Sequence, residues 1–379
     1  MQTAESTARG TALIAMSGGV DSSVAAWLMQ QQGYRCIGAT MRLYDNEMCG
    51  LSRRHTCCSL EDVEDARSVA RRLGIPYYVF NFSDDFEDRV IRKFVRSYEQ
   101  GETPNPCIDC NRYMKFDRLL RRAEELGCDC LVTGHYAAVR RDPDTGRFLL
   151  CRAADPAKDQ TYFLYSLTQV QLEHIRFPLG GLTKPETRAI AEAQGFANAR
   201  KHDSQDICFV PDGDYGAFLE RYTGKVYPPG PFLDESGKPV GTHRGTVRYT
   251  LGQRKGLGLA MGTPVYVIAR DPDANTVTIG PESALYRRVL IADDANWISI
   301  PALKGPLRAE AKVRYSQKSQ PGTAYPEGEA SFRFVFDAPQ RAVTPGQAVV
   351  LYDGDLVVGG GTIRAVPPEA AEGSGVSGT

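Results

Sequence analysis

Short apolar runs alternate with amphipathic stretches from residue 11 to about residue 210. The apolar runs predict strands at Thr11–Met16, Arg35–Thr40, Pro76–Phe82 and Asp129–Thr133. The stretches between and after them predict helices at Ser22–Gln32, Leu60–Leu73 (capped by Ser59), Phe86–Gln100, Tyr113–Leu126, Leu167–Ile175 and Pro185–Gln194. This alternation predicts an α/β fold in which helices cover a doubly wound parallel sheet.

After Cys208 the pattern changes to short alternating runs, such as Thr263–Arg270 and Thr276–Ile279. Two further runs flank Asp353-Gly354, a dipeptide typical of hairpin turns. We therefore predict an α/β domain over residues 10–211, a small linker domain over 212–284 and a C-terminal β-barrel over 285–366. The remaining residues, 367–379, are rich in Gly, Ser and Ala and predict a disordered tail.

Composition narrows the class of protein. The 379 residues carry a formal net charge of −1, and no apolar run approaches the roughly 18 residues that a membrane span needs. The first ten residues lack the apolar region of a secretory signal. All ten cysteines lie within the first 208 residues, and a secreted disulfide framework would be denser. These features predict a cytoplasmic protein with no membrane partner; they exclude a uniformly basic nucleic-acid binder but allow local basic patches.

The motif Ser17–Ser23, SGGVDSS, stands between the first predicted strand and the first predicted helix. Its two glycines allow positive φ and a close approach of the backbone to a ligand. The N–H groups of the turn and of the helix start then point at phosphate oxygens, and the serines add hydroxyl donors. A plain capped turn is the alternative, but seven matching residues at this junction favour a nucleotide site. The motif resembles the PP-loop of the ATP-pyrophosphatases, which cleave ATP to AMP and pyrophosphate.

A second motif, Thr103–Asn111, contains two prolines and the pair Cys107 and Cys110. We predict that Cys110 stands just before the helix Tyr113–Leu126, where a helix N-terminus lowers the pKa of a thiol and favours the nucleophilic thiolate. Half of a zinc site and a thioredoxin-like redox pair are alternatives for a C-x2-C spacing. Neither fits well, because the other close cysteine pairs have poor zinc spacing and the flanking loop is unlike thioredoxin.

A third motif, Asp203–Phe209, contains a single cysteine, Cys208, between isoleucine and phenylalanine. Taken alone, such a cysteine is typical of a buried filler.

Taken together, the motifs resemble one family. SGGVDSS, Thr103–Asn111, Ala153–Leu164 (AADPAKDQTYFL) and Asp203–Phe209 (DSQDICF) occur in this order. They are similar to the tRNA-specific 2-thiouridylases, the MnmA/TrmU family of the PP-loop superfamily, over about residues 10–366. Leu251–Gly258 (LGQRKGLG) and Val343–Gln347 (VTPGQ) also match. The resemblance implies an adenine-nucleotide-hydrolase-like PP-loop domain followed by a linker domain and a β-barrel.

The resemblance also implies the site residues. ATP would be bound by Ala15, Met16, Ser17, Gly18, Gly19, Val20, Asp21, Ser22, Met41 and Gly134. Asp21 would help to hold the Mg2+ that accompanies pyrophosphate. The nucleophile would be Cys110 and the persulfide carrier Cys208. The target base would contact Asn105, Pro106 and Cys107, and tRNA would contact Lys158, Asp159, Gln160, Arg314 and Tyr315. Some well-known members have Asp at the place of Cys107, and the segment Cys49–Cys58, which includes Cys57, has no assigned role.

The activity that the resemblance implies is replacement of O2 of the wobble uridine by sulfur, in the tRNAs for Lys, Glu and Gln. ATP adenylates the base, and a persulfide on Cys208 supplies the sulfur, leaving a Cys110–Cys208 disulfide. This route implies a mobile segment near 200–210 that closes over the site. The persulfide comes from a cysteine desulfurase or a relay protein. An iron–sulfur cluster on Cys107, Cys110 and Cys208 ranks below this mechanism.

Basic residues cluster in two stretches. Gly241–Gly256 carries Arg244, Arg248, Arg254 and Lys255, and Lys304–Lys318 carries Lys304, Arg308, Lys312, Arg314 and Lys318. As a pair these patches favour RNA, although solvated strand faces are the alternative for any single residue. Tyr249 and Tyr315 are candidates for base stacking or for the core. Two other functions stay open: a synthetase acting on a small molecule, and an RNA-binding module with a vestigial ATP loop.

Overall fold

A computed structural model describes residues 9–44, 60–203 and 206–367 of the chain. Several predictions concern residues outside these ranges. They are the segment with Cys49, Cys57 and Cys58, the cap Ser59, the motif residues Ser204 and Gln205, and almost all of the predicted tail. Within the described residues, no helix is long and apolar enough to cross a membrane.

The chain divides into two compact units. The first contains the described residues up to Val95, together with Pro106–Lys225 and Asp355–Val358. The second contains Arg96–Asn105, Val226–Gly354 and the described residues from Gly359 onward. The short segment Arg96–Asn105, which leads to the Cys107/Cys110 motif, is therefore built into the second unit.

The first unit contains a parallel sheet. The strands of this unit up to residue 176 are β1 (Thr11–Ala15), β2 (Arg35–Arg42), β3 (Tyr77–Asn81), β4 (Cys130–Val132), β5 (Ala138–Arg141), β6 (Phe148–Cys151) and β7 (Ile175–Arg176). Five of them form the order β3-β2-β1-β4-β7, with every pair parallel. The order runs outward from β1 in both directions, which confirms the predicted doubly wound sheet. β5 and β6 form a separate hairpin that the sequence pattern had not revealed.

Helices cover this sheet. The first two helices along the chain are Val20–Gln31 and Leu60–Leu73, and the last three are Gln169–His174, Lys184–Ala193 and Tyr215–Thr223. Between these lie two longer helices with π-helical middles: Ser83–Phe86, Glu87–Ile91 and Arg92–Glu99 form the first, and Pro106–Asp109, Cys110–Leu119 and Leu120–Glu125 form the second. Helix Val20–Gln31 buries Val24, Ala25 and Met29 in a core shared with Ile14 and Val132, which fixes the helix start against the end of β1.

The second unit contains two β modules. In the first, β8 (Gly230–Leu233), β9 (Pro239–His243), β10 (Tyr266–Asp271) and β11 (Thr276–Gly280) form a sheet in the order β10-β11-β8-β9. The second is a barrel of β12 (Tyr286–Trp297), β13 (Leu307–Lys312), β14 (Gln320–Pro326), β15 (Phe332–Arg341), β16 (Ala348–Asp353) and β17 (Leu356–Ala365). Its order is β12-β15-β14-β13-β16-β17, and β12 pairs with β17 to close it. The predicted C-terminal β-barrel and the hairpin at Asp353-Gly354 are confirmed.

Candidate active site

The SGGVDSS loop leaves the carboxyl end of β1 and opens helix Val20–Gln31. The Ser22 hydroxyl donates to the Gly19 carbonyl at 3.0 Å and accepts the Ser17 N–H at 3.2 Å. The Ser23 hydroxyl donates to the same carbonyl at 3.0 Å. These hydrogen bonds connect the loop to the first turn of the helix.

Glycine has different roles at the two positions of the loop. Gly18 has φ of +73°, and a Cβ there would collide with the main-chain carbonyl of Asp62. Gly19 has φ of −85°, and a Cβ there would meet only the Ser17 hydroxyl, at 3.4 Å. Of the two glycines, only Gly18 therefore has the positive φ that the sequence pattern allows, and the turn is made there. Gly19 instead borders open space above the loop.

The residues predicted to bind ATP lie at one edge of the sheet. Ala15 ends β1 and Met16 follows it, Met41 lies near the end of β2, and Gly134 follows β4. A Cβ on Gly134 would stand 2.7 Å from the main chain of Asp21 and Ser22, so this glycine lets β4 approach the loop. β1 and β4 are the neighbours at which the strand order reverses direction. Open α/β sheets bind ligands at this switch point.

A cluster of charged side chains lies beside the loop. The Lys184 ammonium is buried and donates to both oxygens of the Asp21 carboxylate, at 2.7 and 2.8 Å. The Tyr136 hydroxyl donates to the same carboxylate at 3.0 Å. Lys184 also pairs with Asp203 at 2.7 Å, and Lys158 and Arg188 pair with Asp203 at 2.8 and 3.1 Å. We call these five charged residues, Asp21, Lys158, Lys184, Arg188 and Asp203, the charge cluster.

The charge cluster carries three cations against two carboxylates. Burial alone would raise the pKa of Asp203, but hydrogen bonds from Lys158 and Lys184 outweigh it and lower that pKa. Lys184 is paired with both carboxylates, and the cluster has a surplus positive charge next to a loop suited to phosphate. Asp21 does not present a bare carboxylate to a metal ion, so the geometry does not fit the Mg2+ ligand role predicted for it.

No sequence motif described above includes Lys184, although one local signal points to it. It occupies the first position of helix Lys184–Ala193, after the cap Thr183, which forms a capping box with Glu186. A cation is unfavourable at a helix N-terminus, because it opposes the helix dipole. A lysine in this place therefore indicates another partner, which here is Asp21.

We expect Lys184→Met to lower the free energy of unfolding by about 3 kcal/mol, because it leaves two partly buried carboxylates without their shared cation. Lys184→Arg should lose less, since it keeps the charge. Thermal denaturation of both variants, with the exposed Lys238→Met as control, tests this. Equal melting temperatures for Lys184→Met and Lys238→Met would contradict a structural role of the pair.

The helix that carries Cys110 begins earlier than predicted. It starts at Pro106, so that Cys107 lies exposed in its first turn and Cys110 lies half-buried at the start of the π-helical segment. The prediction that Cys110 stands before the helix is wrong, because a proline is favourable at the first helical position as well as in loops. The positive end of the helix dipole therefore acts on Cys107 more directly than on Cys110. Buried Asp109 pairs with Lys93 at 2.7 Å and holds this turn.

Cys208 is held by an aromatic core on its carboxyl side. Phe209 is fully buried, and its ring lies 5.2 Å from Phe94, 5.2 Å from Phe218 and 5.8 Å from Phe86. The Tyr44 hydroxyl donates to the Cys208 carbonyl at 2.7 Å. Tyr44 comes two residues after β2, so Cys208 lies at the same edge of the sheet as the loop. In the segment near 200–210, which is predicted to be mobile, Cys208 and Phe209 are therefore held by Tyr44 and by the aromatic core.

The two cysteine motifs lie near each other around Tyr215. Burial raises the pKa of the Tyr215 hydroxyl, and the charges of Asp206 and Cys107 raise it further. The ring of Tyr215 lies 6.1 Å from Phe94, which contacts Phe209. The fold thus brings the Cys107 turn close to the segment that carries Cys208, across about a hundred residues of sequence.

The geometry gives no support to a metal cluster. In residues 9–44, 60–203 and 206–367, no three His, Cys, Asp or Glu side chains are grouped so that they could hold a metal ion. Cys107, Cys110 and Cys208 all belong to these ranges and are present as thiols. Two other thiols, Cys36 and Cys130, are core fillers whose burial raises the pKa to about 12 and about 11.

The side chains of Lys158, Asp159 and Gln160 make internal bonds. Asp159 is buried and accepts from the Thr161 hydroxyl at 2.8 Å, and Gln160 accepts the Tyr136 N–H at 3.0 Å. Lys158 pairs with Asp203 in the charge cluster. Their predicted tRNA contacts stay predictions, as do those of half-buried Asn105, buried Pro106 and exposed Cys107.

The basic stretches differ in exposure. Arg244, Arg254 and Lys255 are exposed, whereas Lys312 is buried and Arg308 pairs with Asp337. The Arg314 guanidinium donates to Ala342, Thr344 and Leu251 at 2.9 to 3.3 Å, so it stabilises the second unit from within. Tyr249 is buried against Phe232 and His243 and belongs to the core, while Tyr315 is exposed. Lys304 and Lys318 are exposed as well, so both stretches present positive charge, and Arg308 is the exposed cation whose ion pair is described.

Three family models match the chain. They describe a tRNA methyl transferase HUP domain over residues 11–212, a tRNA methyl transferase PRC-barrel domain over 216–281 and an aminomethyltransferase β-barrel domain over 287–363. Their order agrees with the PP-loop domain, linker domain and barrel expected from the sequence.

Full-length relatives also match. A protein of Acetivibrio thermocellus named tRNA-specific 2-thiouridylase MnmA is 52% identical, with 93% of this chain and 98% of that protein covered. Proteins of the same name from Clostridioides difficile and Heliobacterium modesticaldum are 50% and 53% identical over 93% of this chain and 97% and 92% of theirs. The chain belongs to the family of tRNA-specific 2-thiouridylases, which are tRNA sulfurtransferases.

Proposed function

We propose that this protein uses ATP to replace O2 of the wobble uridine of tRNA by sulfur, giving 2-thiouridine, AMP and pyrophosphate. One observation carries the proposal beyond family membership: the phosphate-type loop and Cys208 lie at the same edge of one parallel sheet. If ATP activates a base and a cysteine then delivers sulfur to that base, the ATP site and the cysteine must lie close to each other. The substrates are the tRNAs for Lys, Glu and Gln, and the reaction takes place in the cytoplasm.

The first step activates the base. The target uridine is flipped from its stack, and its C2 oxygen attacks the α-phosphorus of ATP, releasing pyrophosphate. The N–H groups at the start of helix Val20–Gln31 and the surplus charge of the charge cluster stabilise the negative charge that develops on the phosphates. The product is an adenylated base whose C2 oxygen can leave as AMP.

The second step transfers sulfur. A cysteine desulfurase or a relay protein first delivers a sulfur atom to Cys208 as a persulfide. The terminal persulfide sulfur attacks C2 of the adenylated base, and AMP leaves with the oxygen. The Cys110 thiolate then attacks the Cys208 sulfur, forming a Cys110–Cys208 disulfide while the bonding electron pair passes to the sulfur retained on C2. An external thiol reductant reopens the disulfide.

A direct test combines the protein with ATP, a persulfide donor and unmodified tRNA, and measures AMP and thiolated tRNA. We expect both products to form and AMP formation to depend on tRNA. A synthetase acting on a small molecule would form AMP without tRNA, and an RNA-binding module with a vestigial loop would form none. Either result would overturn the proposal.

We expect the double variant Arg254→Ala/Lys255→Ala to weaken tRNA binding and to flatten its dependence on salt. Each lost phosphate contact should reduce the slope of log K against log salt by about 0.7 to 0.9, because fewer counterions are released. Filter binding at several salt concentrations measures the slope. Arg308→Ala is the matched control, since Arg308 is exposed but paired with Asp337. An unchanged slope in the double variant would show that both residues are merely solvated.

A further inference from the structure

The VTPGQ motif of the barrel binds a segment distant in sequence. The Thr103 N–H donates to the Pro345 carbonyl at 3.0 Å, and the Gln347 amide donates to the Thr103 carbonyl at 2.8 Å. Both main-chain polar groups of Thr103 are thus held by one loop. All of these residues belong to the second unit.

Gly346 allows this approach. Its φ is +87°, and a Cβ there would stand 2.9 Å from the Cβ of Glu102 and 3.0 Å from the Thr103 nitrogen. Real Cβ atoms do not approach other atoms so closely, and L-residues seldom adopt this φ. A side chain at position 346 would therefore displace residues 102–103.

Arg270 holds the same segment from the other β module. Its guanidinium donates to the carbonyls of Gly101 and Glu102 at 2.5 and 3.2 Å. Burial lowers the pKa of Arg270 to about 10, so the group is still charged at neutral pH. Charge-assisted bonds of this kind are stronger than neutral ones.

Arg314 supports the motif itself, through its bonds to Ala342 and Thr344. The segment Gly101–Thr103 is therefore fixed by Arg270, Pro345, Gly346 and Gln347, which we call the clamp, and the clamp is braced by Arg314.

We propose that the clamp is a positioning device for the thiolation reaction: it sets the place of the turn that carries Asn105, Cys107 and Cys110. The reason is the stiffness of the connection. Pro104 and Pro106 have fixed φ and flank a single residue, so fewer main-chain torsions between Thr103 and Cys107 can absorb a displacement of Thr103. The clamp thus acts on the reaction through the position of this turn. This inference rests on the proposed function.

The test compares two glycines of the same barrel. Gly346→Ala and Gly354→Ala both place a side chain at positive φ, +87° and +56°, but a Cβ at Gly354 has no neighbour within 4 Å. Both variants bear similar backbone strain, and only the first pushes on the clamped segment. Gln347→Leu, which removes the amide donor at similar volume, is the second test variant and does not depend on strain.

Three kinds of measurement are made. The first is the single-turnover thiolation rate. The second is ligand affinity, as the KM for ATP and the Kd for tRNA, and the third is the rate at which Cys107 and Cys110 each react with iodoacetamide. We expect Gly346→Ala and Gln347→Leu to slow thiolation by about tenfold to a hundredfold, since a misplacement near 1 Å has effects of this size. KM for ATP and Kd for tRNA should stay at their wild-type values, and the alkylation rates of the two thiols should change. Gly354→Ala should match the wild type in all three.

The proposal is overturned if both test variants match Gly354→Ala in thiolation and alkylation. It is also overturned if Gly346→Ala and Gln347→Leu change KM for ATP and leave the alkylation rates unchanged. If wild-type protein forms no thiolated tRNA, the proposed function fails, and the alkylation rates still decide whether the clamp positions the turn.

Discussion

Cys208→Ser is expected to abolish tRNA thiolation, because a hydroxyl cannot store a transferable sulfur atom. Cys110→Ser should stop turnover at the next stage, because it removes the thiolate that releases sulfur from Cys208. Mass spectrometry of tRNA nucleosides measures both effects, and we expect losses of at least about a thousandfold, which is the range found when a catalytic nucleophile is removed. Neither side chain belongs to the nucleotide loop, so both variants should still bind ATP and tRNA.

The controls for these variants are two other cysteines. Cys128→Ser should leave the rate unchanged, because Cys128 belongs to neither cysteine motif. Cys107→Ser should retain appreciable activity, because in the persulfide mechanism Cys107 neither carries nor releases sulfur. Stoichiometric iron in anaerobically purified protein, together with an inactive Cys107→Ser variant, would replace the persulfide mechanism by an iron–sulfur one. A Cys208→Ser variant that still makes 2-thiouridine would exclude Cys208 as the carrier.

Gly19→Val is expected to abolish AMP formation while the protein stays folded. The backbone of Gly19 already has a φ that valine adopts, and only the Ser17 hydroxyl lies near the new side chain. The branched group therefore fills the space above the loop, where phosphate would approach the N–H groups. Equilibrium binding of ATP and the melting temperature are measured on the same sample. We expect ATP binding to fall below detection and the melting temperature to stay close to that of the wild type.

Gly18→Ala is the matched control at the adjacent position. Its positive φ and its contact with the Asp62 carbonyl predict a loss of stability, since strained backbone of this kind costs about 1 to 3 kcal/mol. The two variants thus separate the two roles of the loop: Gly18 makes the turn, and Gly19 leaves room for the ligand. Wild-type AMP formation by folded Gly19→Val would exclude this loop as the phosphate site.

Local features of this protein followed from the sequence alone. The strand Thr11–Ala15, the glycine turn and the helix after it are contiguous in sequence. The signals that predict them, an apolar run, a glycine pair and a helix start, therefore all lie within about twenty residues. Helix Leu60–Leu73 was predicted at its observed ends because its periodicity and its stop at Gly74 are also local. Where local chemistry allowed two outcomes, the prediction failed: Pro106 begins a helix, although the sequence favoured a loop.

Only the tertiary structure decided which distant residues meet. Lys184 reaches Asp21 across 163 residues, and Gln347 reaches Thr103 across 244. No periodicity or spacing encodes such pairs, because a side chain's partner at long range is set by packing of whole elements. The sequence by itself thus determined the nucleotide loop and the two cysteine motifs, whereas the fold decided what neutralises Asp21 and what holds the turn of Cys110.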